Sequence, residues 1–377
     1  MKYYIIAGEA SGDLHGSNLI KELKKSDLQA DIRCWGGDMM QAAGAVLVKH
    51  YKELAFMGFI EVIKNLGTIL KNLKICKEDI TRYNPDSIIL VDYPGFNLRI
   101  AKWAKRQHYK TIYYISPQVW AWKESRVIAI RETVDKMIVI LPFEKDFYKK
   151  WGYPVEYVGH PLVEVVDNFK MQTEATNPLM PGEQSSANII ALLPGSRKQE
   201  ILKKLPVMLE LSTLFPKHHF IVAQAPGQDD TFYQTLLQDY KNVSTVKNDT
   251  YNLLAISVAA LVTSGTATLE AALFGVPEVV CYKGSPVSFW IAKRLIKVKY
   301  ICLVNLIMNK EVVKELIQYE LTVNNLKKEL NLLLYDKIRQ AQLQRDYAEL
   351  KKILSEGGNA SANAAKVIID FLAHTDQ

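Results

Sequence analysis

The run Ile189-Ile190-Ala191-Leu192-Leu193-Pro194-Gly195-Ser196-Arg197-Lys198-Gln199-Glu200 decides how this chain is read. Five apolar residues in a row predict a buried parallel strand. Pro194 and Gly195 stop it, Ser196 is a good N-cap, and Ile201, Leu202 and Leu205 then recur at helical spacing. A strand, a glycine turn and a helix start leave unpaired N–H groups pointing outward, and such an end attracts anions. Arg197 adds a forked charge suited to phosphate. The stretch is either the seat of a diphosphate or an ordinary strand–helix turn with a solvated arginine. Its spacing is not that of a P-loop.

The same junction occurs twice more. Tyr3 to Ala7 is a strand that opens through Gly8-Glu9-Ala10-Ser11-Gly12-Asp13 into a helix. Two carboxylates there would repel a phosphate, so hydroxyl recognition on a sugar or ribose fits better, with capping by Ser11 and Asp13 as the plain reading. Ala259 to Val262 is a strand that ends in Thr263-Ser264-Gly265-Thr266-Ala267-Thr268-Leu269-Glu270. A helix start rich in hydroxyls can hold phosphate, while Glu270, about one and a half turns in, can accept from both ribose hydroxyls. Together these junctions predict an α/β protein with two Rossmann-like halves facing across a cleft. Residues 1–170 form the first half. Polar, aperiodic 171–188 is a linker, 189–350 the second half, and 351–377 a closing helix that packs back on the first domain.

Bulk composition narrows the class. The chain has 377 residues, 49% apolar and 23% charged, with a net charge of +7. That suits two globular domains, and the charge suits an anionic membrane surface or a phosphorylated substrate. The basic residues are spread out without aromatic interleaving, so nucleic acid is ranked last. Cys34, Cys76, Cys281 and Cys302 lie far apart and read as buried thiols of a reducing cytosol, with no metal spacing. Met1 to Ala7 is a first strand and not a signal peptide. No apolar run approaches the ~18 residues of a membrane span. There is no GxGxxG with a downstream acid and no Asp-x-Asp, so no bound metal and no cofactor are expected.

Leu54 to Ile75 stands apart. Phe56, Phe59, Ile60, Ile63, Leu66, Ile69, Leu70 and Leu73 fall at steps of three and four, beside Lys64, Lys71, Lys74 and Lys77. The stripe is either a surface helix packed on a core or an interfacial helix lying on anionic lipid. Further on, Asp92 sits at the carboxyl end of a buried strand, Ser87 to Val91, where ligands bind in open α/β sheets. It caps the next helix or does chemistry. As an ordinary aspartate, with an unperturbed pKa of ~3.9, it would be ionised without tuning. Trp120 and Trp122 are core plugs or a lid over a sugar or lipid. His160, between Gly159 and Pro161, reads as structural. Ile301 to Val304 is expected to be a strand leading to Asn305, and the residues after it to be helical.

Taken in order, five motifs resemble the lipid-A-disaccharide synthase family over nearly the whole chain. They are Gly8-Glu9-Ala10-Ser11-Gly12-Asp13, Ser116-Pro117-Gln118-Val119-Trp120-Ala121-Trp122, Leu141-Pro142-Phe143-Glu144, Leu193-Pro194-Gly195-Ser196-Arg197 and Ser264-Gly265-Thr266-Ala267-Thr268-Leu269-Glu270. The resemblance implies a GT-B fold and an inverting, metal-independent transfer. The donor would be UDP-2,3-diacylglucosamine and the acceptor 2,3-diacylglucosamine 1-phosphate, called lipid X. It implies that Asp92 is the general base. It assigns Gly195, Ser196, Arg197, Ser264, Gly265, Thr266, Thr268, Glu270 and Asn305 to the donor. It places Gly8, Glu9, Ser11, Gly12 and Asp13 in an acceptor-side loop. Phe59, Ile60, Ile63, Leu66 and Leu70 would touch the inner face of the bacterial inner membrane, and a homodimer is compatible with the reading. Many family members carry an acid after the Pro of Asp-x-Pro, where this chain has Gly95; Glu9 or Asp13 is left to fill that role. The alternatives are another GT-B UDP-sugar enzyme, namely a cell-wall N-acetylglucosaminyltransferase or a UDP-sugar epimerase, and a non-catalytic nucleotide-sugar binder.

Overall fold

A computed structural model describes residues 1–53, 66–176, 188–225, 228–286, 289–290, 294 and 298–375. The chain divides into two compact units, Met1–Pro161 with Leu354–Gln377, and Leu162–Ile353.

The first unit runs β1 (Lys2–Ala7), α1 (Ala10–Ser26), β2 (Asp31–Gly36), α2 (Asp38–Ala42), β3 (Val46–His50), α3 (Leu66–Tyr83), β4 (Ser87–Val91), α4 (Pro94–Arg106), β5 (Lys110–Tyr114), α5 (Val119–Trp122), α6 (Arg126–Thr133), β6 (Lys136–Val139), α7 (Pro142–Lys149) and β7 (Glu156–Tyr157). Its sheet has the order β3-β2-β1-β4-β5-β6-β7. Every neighbouring pair is parallel. A parallel sheet is covered on both faces, so its strands carry apolar residues all along their length. Residues 3–7 of β1 and all of β4 have no solvent exposure. Each large side chain so covered contributes about 1.5–3 kcal/mol. Over one face lie Leu73, Cys76 and Ile80 of α3 and Phe96, Ile100 and Ala104 of α4. The strand order reverses between β1 and β4. The loops leaving their carboxyl ends therefore diverge and open a crevice, the place where such sheets take ligands. Those loops are Gly8–Asp13 and Asp92–Tyr93.

The second unit begins with α8 (Pro161–Thr176) and continues β8 (Ile189–Leu193), α9 (Lys198–Ser212), β9 (His219–Gln224), α10 (Asp230–Leu237), β10 (Val243–Lys247), α11 (Thr250–Ile256), β11 (Ala259–Thr263), α12 (Thr266–Phe274), β12 (Glu278–Tyr282), α13 (Leu303–Met308), β13 (Lys314–Ile317), α14 (Val323–Tyr335) and α15 (Lys337–Ser355). The order β10-β9-β8-β11-β12-β13 is again parallel throughout. Its reversal lies between β8 and β11. The two glycine-bearing junctions singled out in the sequence thus lie side by side. The last helix, α16 (Ala360–Thr375), returns to the first unit and packs on α1. It is joined there at a close backbone contact. A Cβ on Gly357 would lie 2.2 Å from Gly159 N, and His160 N donates to Leu354 O at 3.2 Å.

The structure differs from the expected elements at four places. The interval 171–188 is not aperiodic from its start, because α8 continues through Thr176, before Pro178; residues 177–187 lie outside the described residues. Residues 162–170 accordingly belong with the second unit. The expected strand at 301–304 is instead the entry to α13, where Cys302 Sγ accepts from Asn305 N at 3.5 Å. A four-residue apolar run does not separate strand from helix, and here a cap decides. Finally, Lys-Glu-Leu-Ile at 314–317 forms β13 within a region expected to be helical.

Candidate functional site

In the first unit the crevice is acidic and strained. Asp92 and Tyr93 both adopt left-handed backbone, with φ of 45° and 49°. That costs of order 1–3 kcal/mol per residue and persists only where the surroundings hold it. They do. Asp92 O accepts from Tyr113 OH at 2.6 Å and from Asn97 Nδ2 at 2.7 Å, and Asp92 N donates to Tyr114 O at 3.1 Å. The Tyr93 ring lies over the first loop. A Cβ on Gly8 would meet that ring at 2.2 Å, so only glycine fits there. The sharp turn leaves the Asp92 carboxyl in a desolvated place. Burial first, and the charge of Glu9 second, push its pKa up to about 7. The expectation of an untuned aspartate is corrected by those two causes.

The two candidate partner acids separate cleanly. Asp13 is 4% exposed, and its carboxylate accepts from Gly37 N at 2.8 Å, Met40 N at 3.1 Å and Met39 N at 3.2 Å. It caps α2, a helix other than its own, and is fully engaged there. Glu9 is the acid whose charge reaches Asp92. Ser11 is exposed, and Gly12 gives the close approach of α1 to Ala7, where a Cβ would sit 3.1 Å away. The space beside Gly95 is empty within 4 Å of where its Cβ would be. The two tryptophans differ, and only Trp120 is a core plug. Trp120 is buried edge-on against Phe143 and donates to the buried Glu144 at 3.2 Å. Trp122 is 44% exposed under the Arg126 guanidinium, 4.8 Å from its ring centre. Burial holds His160 neutral, with its pKa down to about 3.

In the second unit a cavity of about 300 Å³ opens at the reversal point. Gly195 and Ser196 line it from the β8 side, and Ser264, Gly265, Thr266 and Glu270 line it from the β11 side. Gly195 takes φ of 116°, so the turn needs glycine there. Burial raises the Glu270 pKa, and Tyr251 OH holds the carboxylate by donating at 3.2 Å. Arg197 is half exposed beside the turn and donates to Glu200 Oε1 at 3.3 Å. Two expected donor residues face inward. Thr268 is fully buried and donates to Gly265 O at 2.8 Å, as a helix brace. Asn305 is also fully buried. Its Nδ2 donates to Val313 O and Glu315 Oε1, and its Oδ1 accepts from Val312 N and Val313 N, so it organises the approach to β13. Sequence reasoning missed Glu200, Gln224 and Thr250 in the lining, and Tyr251 behind Glu270. For Glu200 a signal existed, the i,i+3 spacing from Arg197.

Of the expected membrane stretch, Phe59, Ile60 and Ile63 lie outside the described residues, and Leu66 is the first residue of α3. Leu70 is 55% exposed, while Leu73 is buried in the core. No helix among the described residues is long and apolar enough to cross a membrane.

Two parallel α/β units, each with glycine-bearing loops at a strand-order reversal, define a GT-B glycosyltransferase fold. Solved structures agree over the whole length. The kitacinnamycin glycosyltransferase superposes with a TM-score of 0.65 at 13% identity, covering 98% of this chain and 99% of its own. The UDP-GlcNAc 2-epimerase of Neisseria meningitidis, bound to UDP-GlcNAc, gives 0.64 at 14%, covering 99% and 100%. The family follows from sequence. Residues 3–369 match the lipid-A-disaccharide synthetase family model. The lipid-A-disaccharide synthase of Geobacter metallireducens is 39% identical over 373 residues, 98% of this chain and 96% of its own. That of Coxiella burnetii (strain CbuG_Q212) is 36% identical over 98% of each. The chain belongs to the lipid-A-disaccharide synthase family, and it is a glycosyltransferase.

Proposed function

We propose that the two crevices carry the two halves of one inverting transfer. The enzyme moves 2,3-diacylglucosamine from UDP-2,3-diacylglucosamine to the 6-hydroxyl of 2,3-diacylglucosamine 1-phosphate. The products are a β-1,6-linked disaccharide 1-phosphate and UDP. The observation that carries the reading is the single cavity that gathers the Gly195 turn, the Thr266 helix start and Glu270 in a chain of this family. Amides at the turn and the helix start meet the diphosphate, and Glu270 accepts from the ribose hydroxyls. Asp92 takes the proton of the acceptor hydroxyl as that oxygen bonds to the anomeric carbon. The bond from that carbon to the diphosphate breaks, and its electron pair leaves on the UDP oxygen. A carboxyl of pKa about 7 is a stronger base than an ordinary aspartate and is still half ionised at neutral pH. Base assistance of this kind is worth ~10²–10⁴ in rate. The larger share comes from the positive groups at the turn and the helix start, Arg197 among them, that meet the departing charge.

Both substrates carry acyl chains, so the enzyme works at the inner face of the inner membrane as a peripheral protein. The stretch from Phe59 to Leu70 is the contact, and exposed Leu70 with exposed Lys71 and Lys74 beside it supports that reading. Mixing both acylated sugars with the protein and weighing the products tests the transfer. A disaccharide 1-phosphate with equimolar UDP is expected, and an isomerised UDP-sugar formed without acceptor would replace this reading with an epimerase. Replacing Ile60, Ile63 and Leu66 by Ser should lower flotation with anionic vesicles; unchanged flotation would remove the membrane contact from this stretch.

A further inference from the structure

We propose that Lys204 is a diphosphate-binding group of the second unit, with Glu200 as the counter-ion that the diphosphate displaces. The proposal rests on the nucleotide-sugar reading of the cavity and names a group that reading does not use. Lys204 lies in the second turn of α9 and is 2% exposed. Lysine is almost never buried this far without a close partner. Yet its ammonium makes no hydrogen bond among the described residues, and its ion pair with Glu200 Oε2 is long, at 3.9 Å.

Helical side chains lean toward the N-terminus, so this one reaches back under the glycine turn. A Cβ built on Gly195 would lie 3.4 Å from Lys204 Nζ and 2.9 Å from Glu200 Oε2. Glu200 also accepts from Arg197 and lines the cavity. One carboxylate therefore stands between two cations at the place where the diphosphate is read to bind. Burial pulls the lysine's pKa down, and the charge of Glu200 works against that pull. A diphosphate brings more negative charge than a carboxylate. Once it sits against Gly195 and Ser196, Arg197 and Lys204 turn to it and Glu200 is left to solvent, which its 35% exposed side chain already reaches. A cation that cannot swing away is worth most where charge develops, because it needs no rearrangement during the reaction.

The test is binding of UDP, uridine and inorganic pyrophosphate to the full chain and to two variants, with thermal unfolding as the check on folding. Lys204→Met keeps the apolar stem and removes the charge. It should weaken UDP and pyrophosphate roughly tenfold and leave uridine unchanged. Glu200→Gln should tighten both phosphate ligands several-fold and again leave uridine unchanged. An unaltered UDP-to-uridine ratio in Lys204→Met overturns the assignment of Lys204. If that variant does not fold, Glu200→Gln decides alone, and unchanged or weaker UDP binding overturns the exchange. Should the wild-type chain bind neither UDP nor uridine, the nucleotide-sugar reading falls, and the effect of Lys204→Met on pyrophosphate still upholds or overturns the inference. Wild-type protein that binds none of the three overturns both.

Discussion

The two reversal points of the molecule are built on one plan and differ in charge, with acids alone at the first and cations set beside acids at the second. In the first unit, β1 and β4 deliver Glu9 and Asp92, and the backbone at Asp92 is bent into the left-handed region to do so. In the second, β8 and β11 deliver a glycine turn and a helix start, with Arg197, Glu200 and Lys204 around the turn. A sheet reversal therefore specifies only where a ligand binds. Whether it receives a hydroxyl to be deprotonated or a leaving anion to be stabilised depends on a few side chains at the strand ends and on what desolvates them.

Substitutions that should affect one side and spare the other test that comparison. The largest effect is expected from Asp92→Asn, which should lower turnover ~10²–10⁴-fold with UDP affinity unchanged. Loss of UDP binding along with turnover would mean the two sides are not separable in this way. The same variant has a stability signature. The folded pKa of about 7 lies above the unfolded value of ~3.9, so this carboxyl favours the folded state below the lower value and loses that contribution as pH rises through the higher one. Asp92→Asn should thus raise Tm more at pH 8 than at pH 5, measured by calorimetry. Next in size, Glu270→Gln should raise the donor KM by roughly 10–100-fold and leave the acid limb of kcat/KM where it is. A smaller change is expected of Glu9→Gln. Removing that charge should shift the acid limb, near pH 7 in the wild type, to lower pH, seen in a full pH–rate profile. The smallest effect on activity belongs to Asp13→Asn, which should cost about 1 kcal/mol of stability through the cap on α2 and leave the limb in place. A limb that follows Asp13 and ignores Glu9 would reverse their assignments.

Where local pattern and burial agree, the sequence was readable. The strands at Ser87–Val91 and Ile189–Leu193 occupy the expected residues, because a central parallel strand is apolar along its whole length. The strands β2, β3 and β13 carry charges among their apolar residues and lie toward sheet edges, so no run announces them. The candidate site was legible to the level of motif. Gly195, Ser196, Ser264, Gly265, Thr266 and Glu270 do share a cavity. Spacing could not say which hydroxyl or amide in a motif lines the cavity and which is engaged inside the protein, as Thr268 is on its own helix and Asn305 is on the approach to β13. Nor could it tell Asp13, bound by three amides from a distant turn, from Glu9, whose charge reaches Asp92. Those distinctions depend on groups far off in the chain.

The return of α16 to the first unit has a consequence for how the chain is made. The second unit is one continuous stretch, Leu162–Ile353, whereas the first needs the segment after Leu354 to cover α1. During translation the second unit emerges whole before α16 does, so it can close while the first still has one side of α1 bare. A released chain truncated after Ile353 should resist protease across the later half and be cut in the earlier one.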